Sequence, residues 1–145
     1  MILFDLNVLV AAHRAENVHH PRAAELLRAT FATGEPLALT SAVTVGVFRL
    51  VTSPRIFTRP SDPPLALAFL QSLHDQPQTV RIEPGPRHWA IFAELCAEAD
   101  VRGGIATDAH LAALAIESGS TLVSYDRDFA RFEGGLRWRH PNEMG

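Results

Sequence analysis

Short apolar runs alternate along this chain with longer stretches in which apolar residues recur at helical spacing. Ile2 to Asp5 is an apolar run closed by a carboxylate, and Val8 to Ala15 continues with helix-forming residues, so the opening reads strand, turn, helix. Pro21 suits a first helical turn, and Ala23, Ala24, Leu26, Leu27 and Phe31 keep helical spacing up to a stop at Gly34. Leu37 to Thr40 reads as a second strand. Ser41 or Thr44 would cap the next helix, which carries Val43, Val47, Phe48 and Leu50 and ends near Ser53-Pro54. After a proline-bearing loop from Arg55 to Pro64, Leu65 to Leu73 is helical, Thr79 to Ile82 is strand-like, and Arg87 to Ala99 is an amphipathic helix entered through Pro84-Gly85-Pro86. The most regular unit comes last: Asp108 opens a strong helix running to Glu117, Gly119 closes it, and Thr121 to Ser124 follows as a strand. Strands alternating with helices predict an α/β fold, an α/β/α sandwich with a central parallel sheet flanked by helices. No repeat or low-complexity tract interrupts it.

Composition narrows the class. A chain of 145 residues, 47% hydrophobic and 20% charged, is too apolar for a disordered tail and reads as a single domain over residues 1–145. No run approaches the roughly 18 apolar residues of a membrane span, and Met1 leads directly into Ile2-Leu3-Phe4 without a basic leader, so a cytoplasmic location is expected. Cys96 is the only cysteine, which excludes a cysteine-based zinc site; within its helical run it is expected as a buried apolar thiol. The net charge of −3 weighs against a nucleic-acid partner. Against that, all 13 basic residues are arginine, the planar bidentate phosphate binder, and carboxylates masked by metal ions would reverse the local field.

In such a sheet, ligands bind beyond the carboxyl ends of the strands. The acids fall there: Asp5 ends the first strand, Asp126 and Asp128 follow the strand Thr121 to Ser124, and Asp108 opens the long helix after the Gly103-Gly104 turn. Brought together, these carboxylates would raise one another's pKa unless a cation sat among them, and oxygen-only ligation suits Mg²⁺ or Mn²⁺. The chemistry this points to is metal-assisted phosphodiester hydrolysis, which needs no side-chain nucleophile. Asn7 is placed to orient a carboxylate or a water, and the Thr107 and Ser124 hydroxyls to hydrogen-bond behind the ligands. Taken singly, Asp108 reads equally as a helix N-cap, and Asp126-Arg127-Asp128 as a solvated turn. An aspartate closing an apolar N-terminal strand is harder to assign to solvent.

Three blocks of the chain resemble the signatures of PIN-domain ribonucleases: Asp5-Leu6-Asn7-Val8-Leu9-Val10, Thr107-Asp108-Ala109-His110-Leu111, and Leu122-Val123-Ser124-Tyr125-Asp126-Arg127-Asp128-Phe129. The segments Phe48 to Phe57 and Pro86 to Trp89 further resemble a branch of VapC toxins, so the similarity covers nearly the whole chain. The resemblance implies a metal site of Asp5, Asp108 and Asp126 with Asp128 as a neighbouring fourth acid, and Mg²⁺- or Mn²⁺-dependent cleavage of structured RNA such as tRNA or rRNA. It also implies a homodimer and neutralisation by a cognate VapB antitoxin. One departure stands out: many PIN proteins carry a glutamate on the helix after the second strand, whereas Thr40 to Ser53 holds no acid, which puts a second metal ion in doubt. Arg49, in the matching stretch, would hold a scissile phosphate if it faces the acids, and otherwise faces solvent.

Other readings are weaker. A catalytically weak RNA- or protein-binding module on the same fold gains from the missing glutamate and loses from the presence of all four aspartates. Haloacid-dehalogenase-like phosphatases and response-regulator receivers use a lysine, and this chain has none; nor does it contain a glycine-rich phosphate loop. His19-His20 reads as a solvated turn, His13 and His88 lack ligand spacing for zinc, and His110, two residues after Asp108 at the mouth of the site, is the histidine worth testing although its spacing points it away from that side chain. Phe69, Trp89 and Phe92 read as core or dimer contacts.

Overall fold

The structure, a computed structural model, describes residues 1–145. Five strands, β1 (Ile2–Phe4), β2 (Leu37–Leu39), β3 (Thr79–Arg81), β4 (Thr121–Val123) and β5 (Trp138–Arg139), pair in the order β3-β2-β1-β4-β5, all parallel. Six helices connect them: α1 (Leu6–His13), α2 (His20–Thr33), α3 (Ser41–Val51), α4 (Pro63–His74), α5 (His88–Glu98) and α6 (Ile105–Ser118). The α/β/α expectation holds. Right-handed crossovers carry α1 to α4 over one face and α5 and α6 over the other. The packing agrees: α1 lies against α2 and α3, α3 against α4, and α5 against α6.

Covered on both faces, the central strands have no reason to alternate with polar residues. Leu3, Phe4, Leu37, Leu39, Leu122 and Val123 are accordingly all buried, within one contiguous apolar core of 29 residues. Strand order reverses between β1 and β4, which are paired in the register Phe4↔Val123, so a crevice opens where the chain leaves those two strands. Asp5 and Ser124 are the next residues in each.

The structure departs from sequence expectation at several element ends. Helix α6 begins at Ile105, with Gly104 at its N-cap, so Asp108 lies at the end of the first turn and is not the cap. Thr40, rather than Ser41 or Thr44, occupies the N-cap position of α3. Strand β5 is unforeseen, being two residues long and held at the sheet edge partly by the Trp138 indole, whose N–H donates to the Ser124 carbonyl at 3.3 Å. Cys96 is half-buried rather than enclosed.

Candidate active site

Asp5 follows β1 and caps α1, its Oδ1 accepting from the Leu6 N–H at 2.7 Å. The other oxygen is held by two side chains: the Ser124 hydroxyl donates to Oδ2 at 2.6 Å and the Asn7 amide donates to it at 3.1 Å. Ser124 is completely buried, and its oxygen also accepts from the Asn7 amide and from the Asp126 N–H, each at 3.0 Å. Its single proton and both lone pairs are therefore used. Asn7 closes the circuit by accepting from the Tyr125 N–H at 3.2 Å. Ser124 and Asn7 thus tie the end of β1 to the turn after β4, and orient one carboxylate while doing so.

Asp126 leaves that turn and caps a short 3-10 helix (Arg127–Arg131), accepting from the Asp128 N–H at 2.8 Å. The solvated-turn reading of this segment therefore describes its backbone, but not its electrostatics. Asp126 raises the pKa of both Asp5 and Asp108, and Asp128 adds to the effect on Asp108. For Asp5 burial is the largest cause and outweighs the hydrogen bonds from Ser124 and Leu6 that favour the charged form. For Asp108 burial again leads, followed by the charges of Asp126, Asp5 and Asp128, and the carboxyl is pushed up to about 6. Acids from three separate parts of the chain therefore converge at the β1/β4 switch point, where Asp108 feels the charges of Asp126, Asp5 and Asp128 and Asp5 feels that of Asp126.

One cation partly relieves them, and it is not Arg49. Arg131 lowers the Asp108 pKa, lies 3.6 Å from the Asp128 carboxylate and donates to the Asp128 carbonyl at 3.1 Å. It sits three residues after Asp128, a spacing visible in the sequence but uninformative until the 3-10 turn is known. Arg49 is exposed on α3. Thr107 does not reach the acids: its hydroxyl donates to the Gly104 carbonyl at 2.9 Å, within its own helical turn.

His110 lies at the mouth of the site, where its position two residues after Asp108 put it: it lines the same small cleft as Asp5 and Asp108, a space of about 80 Å³ between α1, α3 and α6. Burial and the neighbouring His88 lower its pKa, with Glu83 opposing. A wider hollow, about 720 Å³ beside His13, Arg14 and Arg59, contains none of the four acids.

The four acids offer oxygen donors alone. No three acidic or histidine side chains close into a ready-made cage. Such an open, carboxylate-rimmed arrangement, its repulsion only partly relieved by Arg131, fits a hard divalent cation that keeps part of its water shell.

Comparison with known proteins identifies the family. A model of the PIN domain matches residues 2–135. This chain belongs to the PIN-domain family. Within it the relatives are VapC proteins: ribonuclease VapC43 of Mycobacterium tuberculosis is 44% identical over 141 residues, covering 97% of this chain and 95% of the relative. Ribonuclease VapC25 of the same species is 39% identical over 141 residues, covering 97% of this chain and 99% of the relative. Among solved structures, VapBC2 from Rickettsia felis, bound to a DNA fragment from its promoter, superposes with a TM-score of 0.71 at 19% identity, covering 97% and 98% of the two chains. VapC20 of M. tuberculosis, a toxin that cleaves the sarcin-ricin loop, gives 0.64 at 17%, covering 94% and 98%. At these identities the structural matches speak for the PIN fold alone.

Proposed function

We propose that this PIN-domain protein is a VapC-type endoribonuclease toxin that hydrolyses phosphodiester bonds of structured RNA, tRNA or rRNA. It depends on Mg²⁺ or Mn²⁺ and is neutralised in the cytoplasm by a VapB-type antitoxin. The observation that carries the reading is the convergence of Asp5, Asp126 and Asp128 on Asp108 at the β1/β4 switch point, where their charges add to burial in raising its pKa. The names of the 39–44% identical relatives supply the activity class. Asp5, Asp108 and Asp126 would hold the cation, with Asp128 beside them. Such an ion, when bound, polarises a phosphodiester and makes a nearby water more acidic.

The protein's own residues do the positioning. Ser124 and Asn7 fix the Asp5 carboxylate, Asp126 is fixed by its cap to Asp128, and Arg131 limits the repulsion on the Asp108 side. Arg49, exposed on α3 and without a contact to the acids, is left out of the site, and a homodimer is part of the same reading.

Purified protein is expected to cut RNA, to stop when EDTA is added, and to resume with Mg²⁺ or Mn²⁺. Asp5→Ala and Asp108→Ala are each expected to abolish cleavage and any growth arrest on expression. Cleavage indifferent to chelator contradicts the metal assignment; a fully toxic Asp5→Ala variant contradicts the site. A second reading, a catalytically weak binding module on the same fold, draws on the absence of any acid from Thr40 to Ser53. RNA binding without cleavage in saturating Mn²⁺ would favour it.

A further inference from the structure

The cleft beside Asp5 and Asp108 has walls that metal chemistry does not require. Leu6 from α1, Val43 from α3 and Leu111 from α6 supply apolar surface, and Ala42 stands exposed at its mouth. A Cβ at Gly46 would stand 3.3 Å from a Leu6 methyl, so the bare backbone there leaves Leu6 its place against α3. The polar side chains offered to the cleft, apart from the two acids, are Thr107 and His110. The Thr107 hydroxyl is already committed to the Gly104 carbonyl. His110 is half-buried, and its orientation is set from behind by buried His88, whose ring meets it edge-on at a centroid distance of 4.8 Å. No partner within the protein occupies the His110 ring nitrogens.

An apolar slot with one aromatic, hydrogen-bonding edge is unsuited to a phosphate, which needs convergent donors. It suits a nucleobase, which needs a face to stack on and a group to read its edge. Continuity with the acids fixes which base: one attached to a ribose that flanks the phosphodiester being cut. We infer that this cleft receives the nucleobase on one side of the scissile phosphate, and that His110 is a specificity-determining residue at its edge. The inference rests on the ribonuclease reading and adds to it a preference at one flanking nucleotide.

The test uses an oligoribonucleotide that the wild-type protein cuts at one mapped bond, together with versions in which the nucleotide on either side carries a ribose without a base. Wild type is expected to show a KM raised about tenfold for one of the abasic RNAs, the size of one lost stacking contact, with kcat nearly unchanged. Ala42→Trp, an exposed position where a large side chain plugs the mouth without disturbing the core, is expected to raise KM similarly on intact RNA. It should then show no further loss on the abasic RNA, because both changes remove the same contact. His110→Ala, checked for an unchanged Tm, is expected to flatten any preference among the four bases at that position.

Equal KM for intact and both abasic RNAs overturns the slot, as does a multiplicative loss when variant and abasic substrate are combined. Ala42→Trp that cuts RNA normally but no longer binds its antitoxin also overturns it, giving the cleft to a protein partner. Wild-type protein that cuts no RNA overturns the slot and the ribonuclease reading together.

Discussion

Burial, together with the charges of Asp126, Asp5 and Asp128, raises the Asp108 carboxyl from an ordinary value of 3.8 to about 6. Between those two values the folded protein holds a proton that the unfolded chain has lost. Stability therefore falls as pH rises through that window, and the deficit persists above it. Asp108→Asn removes the charge with little change of shape. In EDTA at neutral pH it is expected to raise Tm by a few degrees, about 1 kcal/mol once the shift is discounted for water around a partly exposed group, and to flatten the decline of Tm between pH 4 and pH 6. A thermal scan against pH checks both, and a lower Tm with the decline intact would contradict the repulsion. Ser124→Ala is expected to act oppositely, since it strips a donor from Asp5 and an acceptor from Asn7 and the Asp126 N–H inside the fold. A loss of about 1–3 kcal/mol should appear in urea denaturation. Thr40 provides the control: its buried hydroxyl has no hydrogen-bond partner, so Thr40→Val is expected to be neutral or slightly stabilising. Asp5 and Asp126 were legible in the sequence, because each stands just beyond an apolar run. Arg131 was not, since what brings it to the acids is the path of a 3-10 turn, not spacing along the chain; His110 could be placed at the mouth of the site from its position two residues after Asp108.

At the scale of elements, strands β1 to β4 and all six helices could be read from apolar periodicity, while their ends could not. Helix α6 starts three residues before Asp108 on a glycine that makes no side-chain cap, so nothing in its residue types marks the start. Strand β5 is too short to show a period and depends on its neighbour for its pairing. The proline-rich entry to α5 is pinned across the fold: Glu117 on α6 accepts from the Gly85 N–H at 2.7 Å and the Arg87 N–H at 2.9 Å. These bonds hold the Glu117 pKa below the ordinary glutamate value. Glu117→Gln, which keeps the shape and weakens the acceptor, is expected to speed amide exchange at Gly85 and Arg87 while leaving the exchange of β1 and β4 amides unchanged. Uniform change across the protein, or none at those two amides, would argue that the entry is held by something else.

At the scale of the whole molecule, the site exists only because the order of the parallel strands reverses between β1 and β4. Residues 5, 108 and 126 lie far apart in sequence, and no local pattern brings them together; the crossover rule and the parallel register do. Sequence motifs could therefore name the acids, but only the topology explains why they repel one another. That one divalent ion relieves the repulsion is the central claim. Crystals of the wild-type protein soaked in Mn²⁺ test it directly through anomalous scattering. The expected result is a peak about 2 Å from carboxylate oxygens of Asp5, Asp108 and Asp126, absent in crystals of the Asp108→Asn variant treated alike. A strong manganese peak elsewhere with none at the switch point would contradict it.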